Sequence, residues 1–313
     1  MTPAPVVDLP VRVRSLVREA EGVMSVELEA LGEPLPAWTP GSHIDLVVPG
    51  APVRQYSLCG DPVSPRYRIA VLREPESRGG SRAVHERVRP GDELVVRGPR
   101  NHFALEKADG YLFVAGGIGI TPLLPMVRTA AAAGAPWRLL YLGASRRRMP
   151  FLDELAALGG DVCVIARDEG ERADLPAEIA AHPGALIYAC GPERMLSALA
   201  ETVPDAEARL RVEYFTAPRI EYEPGGLFRI RLERAGVELD VEADESVLDV
   251  MRAAGVDVLS DCEEGICGSC ETRVLDGEVE HRDFVLTPQE RARSDCMMVC
   301  VSRAACPLLV LDA

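Results

Sequence analysis

The chain is 313 residues long, 47% apolar, and carries a formal charge of −15 from 49 acidic and 34 basic side chains. That length exceeds one ordinary core and implies two or three domains. The acidic balance argues against nucleic acid, whose phosphates need clustered Lys and Arg. No apolar run approaches the ~18–20 residues of a membrane span, and "MTPAPVVDLPVRVRSL" lacks the basic and apolar regions of a signal peptide, so a cytoplasmic protein is expected.

From residue 9 to about 106 the chain reads as all-β. "VRVR", "SVELEA", "HIDLVV", "RQYSL", "RYRIAVL" and "DELVVRG" are short strand-like runs separated by Pro and Gly turns such as "PGSH" and "RPGDE". Six strands at this spacing suggest a small antiparallel barrel. Two stretches carry possible chemistry. "RQYSLCG" ends a strand, and as bare pattern it is equally a strand and its turn. Its Arg54 suits a phosphate, and Tyr56 and the Ser57 hydroxyl suit a flavin ring. "SRGGS" (77–81) offers Arg78 and the N–H groups of Gly79, Gly80 and Ser81 as a phosphate cradle.

Residues 110 to about 217 change rhythm to alternating strands and helices. The strands are "YLFVA", "RLLYL", "DVCVIAR", "ALIYAC" and "RLRVEYF". A helix is predicted from Pro122 to about Ala133 with Gly134 as its stop. Others fall on "FLDELAAL", 175–181 and "PERMLSALAETV". This alternation implies a parallel sheet covered by helices. "AGGIGITPLLPM" and "YACGPERML" each join a strand to a helix through glycine. Both would lie at carboxyl ends of parallel strands, where such sheets bind nucleotides, although each could be an ordinary turn. "GASRRRM" (143–149) follows the second strand of this sheet. Its arginines are either a solvated loop or a reader of a 2′-phosphate.

"TAPRIEYEPGG" (216–226) reads as a linker. From Leu227 the pattern resets. "LFRIRLE" and "VELDVEA" alternate around Arg234–Gly236 as a hairpin. "DESVLDVMRAAG" is a short helix capped by Asp244 or Ser246 and stopped by Gly255, and "PLLVLD" is a closing strand. No internal repeat or low-complexity tract is present.

Nine cysteines in an unsecreted chain are not expected to form disulfides. Cys59, Cys163, Cys190, Cys296 and Cys306 are scattered. In "CEEGICGSC" the spacing is Cys262-x4-Cys267-x2-Cys270, with Cys300 twenty-nine residues beyond. That is the plant-type [2Fe–2S] spacing, two thiolates to each iron. Gly265 and Gly268 suit a tight loop needing positive φ. Structural zinc would ask for two Cys-x2-Cys knuckles, and only one is present.

The order R-x-Y-S, GGIGITP, CGP and C-x4-C-x2-C…C resembles the phthalate dioxygenase reductase family, which includes vanillate demethylase reductases. The resemblance spans essentially the whole chain, and "PRNHF" and "EHRD" fit it. It implies an FMN-binding barrel (1–106), an NAD-binding α/β domain (107–217), a linker (218–226) and a plant-type ferredoxin of the α+β, β-grasp class (227–313). By this resemblance Arg54, Gln55, Tyr56 and Ser57 hold FMN, Val71 and Leu72 line it, and Arg78, Gly79, Gly80 and Ser81 hold its phosphate. Thr121 touches both cofactors. Gly117, Pro122, Cys190, Gly191 and Pro192 belong to the nicotinamide site, with Ser57, Thr121 and Cys190 nearest the chemistry, and Phe215 covers the flavin. Ser77 departs from a glycine often seen there. Cys300 matches the family's last cluster ligand, while Cys296, on a segment read as helix end or turn, and Cys306 stand aside.

The resemblance further implies a monomeric machine that takes hydride from NADH and passes single electrons to a Rieske-type oxygenase. The arginine run leaves NADPH open. A cytochrome P450 is the alternative acceptor, and a ferredoxin carrier with an idle reductase portion the alternative class. Flow from a plant-type cluster near about −400 mV to a Rieske centre at about −150 mV or higher is downhill.

Overall fold

The structure is a computed structural model and describes residues 7–75, 79–220, 222 and 225–313. Arg78 and Ser77 lie outside the described residues. These residues pack as two compact units divided between Glu213 and Tyr214.

The first unit opens with six strands: β1 (Asp8–Ala20), β2 (Val23–Ala30), β3 (His43–Val47), β4 (Arg54–Ser57), β5 (Tyr67–Leu72) and β6 (Glu93–Arg100). They form one antiparallel sheet in the order β4-β3-β6-β1-β2-β5. The sheet rolls up, and its two edges meet where Leu58 bridges Ile69 and the Cys59 N–H donates to the Arg68 carbonyl at 2.8 Å. Alternate residues Val11, Val13, Val26, Leu28, Ile44, Leu46 and Ile69 fill the interior, as the two-residue period of a strand requires. A helix, α1 (Gly80–Arg87), follows β5 and buries Ala83 and Val84 against the barrel. Sequence reasoning saw only the phosphate cradle here. The segment has two buried side chains beyond glycine, too few to announce a helical period.

The second half of this unit runs β7 (Tyr111–Gly116), α2 (Ile120–Ala132), β8 (Trp137–Gly143), α3 (Leu152–Leu158), β9 (Asp161–Ala166), α4 (Leu175–Ala181), β10 (Leu186–Cys190), α5 (Glu193–Thr202), α6 (Ala206–Arg209) and β11 (Leu210–Glu213). All sheet pairs are parallel, in the order β11-β10-β7-β8-β9. β7 is central and buried at every residue, which explains its unbroken apolar run. Strand order reverses between β7 and β10, creating a crevice at their carboxyl ends. Helix α2 begins two residues before the expected Pro122, after a 3₁₀ turn over Gly117–Gly119. Pro122 is still in the first turn, where a missing N–H costs nothing. The expected stop is present, with Gly134 at φ +66°.

Ion pairs join the barrel to this layer. The Arg68 guanidinium bridges Glu19 and Glu154, each at 2.7 Å, and lies over the Phe151 ring. Arg128 also pairs with Glu154 and donates to the Gly60 carbonyl at 3.3 Å.

The second unit contains β12 (Phe228–Leu232), β13 (Val237–Val241), α7 (Val247–Ala253), β14 (Glu271–Asp276), β15 (Val279–Glu280), α8 (Pro288–Arg293), β16 (Cys296–Met298), β17 (Arg303–Ala304) and β18 (Leu308–Leu311). The main sheet runs β13-β12-β18-β14-β16, with β12 and β18 parallel, and α7 packs on it. Of the two candidate caps, Ser246 is the one used: its hydroxyl accepts from the Asp249 N–H at 3.0 Å. Helix α8 carries a capping box between Thr287 and Glu290, a device worth about 1 kcal/mol. Cys296 opens strand β16 rather than ending a helix or turn as expected. The segment before β12 is tied to this unit. Tyr222 lies under the Arg282 guanidinium, and buried Arg303 donates to the carbonyls of Gly226, Glu242 and Glu245.

Candidate functional site

Two sites emerge, one in each unit. In the first, β4 brings "RQYS" alongside β3 in register, Gln55 opposite Asp45 and Ser57 opposite His43. Asp45 is fully buried, held bidentately by Arg100 at 2.6 and 2.8 Å, and accepts from the Gln55 amide at 2.8 Å. The Gln55 amide nitrogen thus ties β4 to β3. The Arg54 side chain runs beside the start of α1, where a Cβ on Gly80 would lie 2.5 Å from its Cγ. Gly79 precedes the helix at φ +113°, a conformation that suits only glycine. This close approach sets the N-terminus of α1 beside the Arg54 side chain, a setting fit for a phosphate. The Ser81 hydroxyl accepts from the Glu74 N–H at 3.3 Å. Tyr56 is half-buried, and burial pushes its phenol up to about 12, so it stays neutral. Val71 points into the barrel core and offers only backbone, its carbonyl engaged by the His85 ring at 2.8 Å. Leu72 instead packs toward the α/β layer.

At the switch point the two glycine loops touch backbone to backbone. A Cβ on Gly116 would meet Pro192 Cδ at 2.5 Å, one on Gly191 would meet Gly116 Cα at 2.8 Å, and one on Gly119 would strike the Cys190 carbonyl. Gly117 has φ +56°. Thr121 is buried and donates its hydroxyl to the Ile118 carbonyl at 3.0 Å, tying down the loop it follows. Ser57, from the barrel, then meets Cys190 and Glu213, from the ends of β10 and β11. The Ser57 hydroxyl donates to Glu213 Oε2 at 3.4 Å, and the Cys190 thiol lies 4.0 Å from the same oxygen. Loss of solvation around the Glu213 carboxyl pushes its pKa up to about 8, opposed by the Ser57 hydrogen bond. Burial and the Glu213 charge push the Cys190 thiol well up as well. Both groups therefore hold their protons at neutral pH. Sequence reasoning named Ser57, Thr121 and Cys190 but missed Glu213. Its only signal was position: an acid at the carboxyl end of the last parallel strand. Phe215 is exposed and belongs to the second unit, as does Tyr214, whose ring packs on Phe284 at 5.4 Å.

In the second unit the four spaced cysteines come together as two pairs. The Cys270 and Cys300 sulfurs stand 3.2 Å apart. Cys262 shares a hydrogen bond with Cys267, and this bond, aided by backbone N–H groups, lowers the Cys262 thiol below its ordinary range. One of those donors is the Glu264 N–H, 3.3 Å from the Cys262 sulfur. The Cys267 and Cys270 thiols are pushed up by their partners and by burial. Among the described residues no three His, Cys, Asp or Glu side chains are grouped to hold a single metal ion. Two thiol pairs are instead what a two-iron cluster needs. Gly265 and Gly268 both have φ +72°, and a Cβ on Gly265 would lie 2.8 Å from Val301. Cys306 lies apart, its sulfur 3.1 Å from the Leu308 carbonyl.

A family model described as a 2Fe-2S iron-sulfur cluster binding domain matches residues 230–305. The phenoxybenzoate dioxygenase subunit beta of Ectopseudomonas oleovorans is 45% identical over 307 residues, covering 96% of each chain. Among solved structures, phthalate dioxygenase reductase aligns at 36% identity and TM-score 0.68 over 98% of both chains. The chain belongs to the phthalate dioxygenase reductase family. A type IV self-sufficient cytochrome P450 monooxygenase also contains a matching portion, at 47% identity and TM-score 0.93, covering 98% of this chain and 41% of that one.

Membership fixes the activity. The protein is the reductase component of an oxygenase system, carrying electrons from a pyridine nucleotide through a flavin and a [2Fe–2S] cluster to a terminal oxygenase component. The reductase folds accordingly: barrel, parallel-sheet layer and ferredoxin unit. Among the described residues no helix is long and apolar enough to cross a membrane.

Proposed function

We propose that the acceptor is a Rieske-type oxygenase and that the reductase acts as a cytoplasmic monomer with FMN on 1–106, NADH on 107–217 and the cluster on 227–313. Relatives named for phthalate and vanillate oxygenase systems, 40% identical over 94% of this chain, support that acceptor. When bound, the flavin supplies the conversion of a two-electron hydride into single electrons for the cluster. The chain's own residues position that chemistry. Arg54 and the N–H groups of Gly79, Gly80 and Ser81 hold the flavin phosphate, joined by Arg78. Tyr56 lies along the ring and the backbone of Val71 and Leu72 lines it. Gly117, Pro122, Gly191 and Pro192 shape the nicotinamide pocket, Thr121 touches both cofactors, Phe215 covers the flavin ring, and Gln55, its amide nitrogen anchored on Asp45, helps to hold FMN. Ser57 holds its hydroxyl between the flavin site and the protonated Glu213, and the neutral Cys190 thiol packs beside the nicotinamide. Cys262 and Cys267 would take one iron, Cys270 and Cys300 the other.

Mixing the purified reductase and NADH with a Rieske oxygenase component and, separately, with a cytochrome P450 tests the acceptor. Substrate turnover is expected with the former, and turnover by the P450 alone would reverse the assignment. Acid release of the flavin should yield FMN on chromatography, and FAD as the main species would overturn that part. NADH should exceed NADPH by at least about tenfold in kcat/KM.

A second reading has its own support. The match to the self-sufficient P450 monooxygenase has a higher TM-score and identity than the match to phthalate dioxygenase reductase, and this chain accounts for 41% of it. The same two-acceptor experiment decides between them.

A further inference from the structure

The arginine run at the carboxyl end of β8 lies where a sheet of this strand order receives the adenosine ribose of a dinucleotide. Its side chains are not all free to meet a ligand. Arg146 Nε donates to both Glu169 oxygens, at 2.8 and 3.1 Å, and a terminal nitrogen lies 3.5 Å from the Val164 carbonyl. Glu169 stands on the short 3₁₀ turn Arg167–Glu169 that follows β9, the neighbouring strand. Asp168 and Glu171 on the same loop add to the negative field at Arg146. Arg147 faces Glu21 of the barrel across 3.5 Å, while Arg148 is exposed. The acidic loop after β9 thus answers the basic loop after β8.

We propose that Glu169 is the residue that sets nucleotide choice, by occupying the Arg146 guanidinium and presenting a carboxylate where a 2′-phosphate would sit. This rests on the reading of the protein as NADH-dependent and deepens it. A ribose 2′-hydroxyl can donate to a carboxylate, whereas a phosphate is repelled by it and finds the adjacent guanidinium already engaged through Nε. The pair is solvent-exposed, so a phosphate meets a modest barrier rather than an absolute one. NADPH is therefore a poor donor, not an excluded one.

The test is a cycle of Glu169→Gln, Arg146→Gln and the double variant in the full-length holoprotein. Each is assayed for kcat/KM with NADH and NADPH, and for binding of 2′,5′-ADP against 5′-ADP by calorimetry. Freeing a guanidinium for a phosphate is expected to raise the NADPH-to-NADH ratio and the 2′,5′-ADP preference about tenfold in Glu169→Gln. Arg146→Gln alone should leave both ratios within about twofold, because the guanidinium is already engaged. The double variant should lose the gain. A gain that persists without Arg146 overturns the proposal and points to Arg148, and an unchanged ratio in Glu169→Gln overturns it outright. A wild type that prefers NADPH would sink the NADH reading itself, a result separate from either.

Discussion

The cluster loop and the flavin–nicotinamide site are built on opposite plans. Three of the four spaced cysteines lie within nine residues, on one loop shaped by two positive-φ glycines. Ser57, Cys190 and Glu213 come from three strands in two sheets, and the Ser57–Glu213 hydrogen bond spans 156 positions. The first site is a local object whose ligands carry their own spacing. The second exists only because the barrel edge and the switch point of the parallel sheet pack together. A local site should fail all at once and leave the rest intact, whereas a distributed one should fail by degrees through geometry.

The largest expected effect falls on the local site. Replacing Cys300 by Ser should abolish the cluster, read as iron content and as visible absorption beyond the flavin's, because it removes half of the Cys270–Cys300 pair. Cys296→Ser and Cys306→Ser should keep both signals, since neither sulfur stands in a pair with a spaced cysteine. A cluster lost in Cys296→Ser and kept in Cys300→Ser would reverse the ligand assignment.

Cutting the chain after Ala217 sharpens the contrast next. The shortened protein should retain flavin and NADH-driven ferricyanide reduction but deliver nothing to an oxygenase. Phe215 is kept, although Tyr214 loses its Phe284 neighbour. A truncated protein that binds flavin yet oxidises NADH with no acceptor would contradict this division of labour.

Gly119→Ala should slow NADH oxidation by about 100-fold while leaving iron content unchanged, because a Cβ there strikes the Cys190 carbonyl and spreads the two loops. Hydride transfer loses rate on that scale for a misplacement of about 1 Å. Equal loss of iron and activity would show that the sites are not independent.

The smallest effect is a pH dependence. The Glu213 carboxyl is raised from its ordinary 4.5 to about 8, so the folded chain holds a proton that the unfolded chain has released within that window. This group therefore weakens folding progressively as pH rises from about 4.5 to about 8, and adds no further slope above it. Allowing for the accessibility the residue retains, the swing is about 1–2 kcal/mol. Between pH 5 and pH 8.5 the wild type should lose more thermal stability than Glu213→Gln, and parallel Tm curves would remove the buried-acid argument.

Much of this was legible beforehand, for a physical reason that differs by region. Strand alternation announced the barrel because every second side chain must enter the core. The unbroken run of β7 announced a central parallel strand, because both its faces are covered. The nine-residue cysteine stretch announced a two-iron cluster because ligand spacing along one loop survives in sequence. Helix α1 was missed because it buries only Ala83 and Val84 beyond Gly80, so its support comes from packing on the barrel rather than from its own period.

What the sequence alone determined, then, was the order of domains, the cluster chemistry and the candidate cofactor loops, all properties of contiguous residues. Only tertiary structure decided which dispersed side chains share a site. It set Glu213 against Ser57 and Cys190, paired Arg146 with Glu169, joined the Gln55 amide to buried Asp45, and drew Cys300 to Cys270. Hydrogen bonds and desolvation act over a few ångströms in space and are blind to distance along the chain.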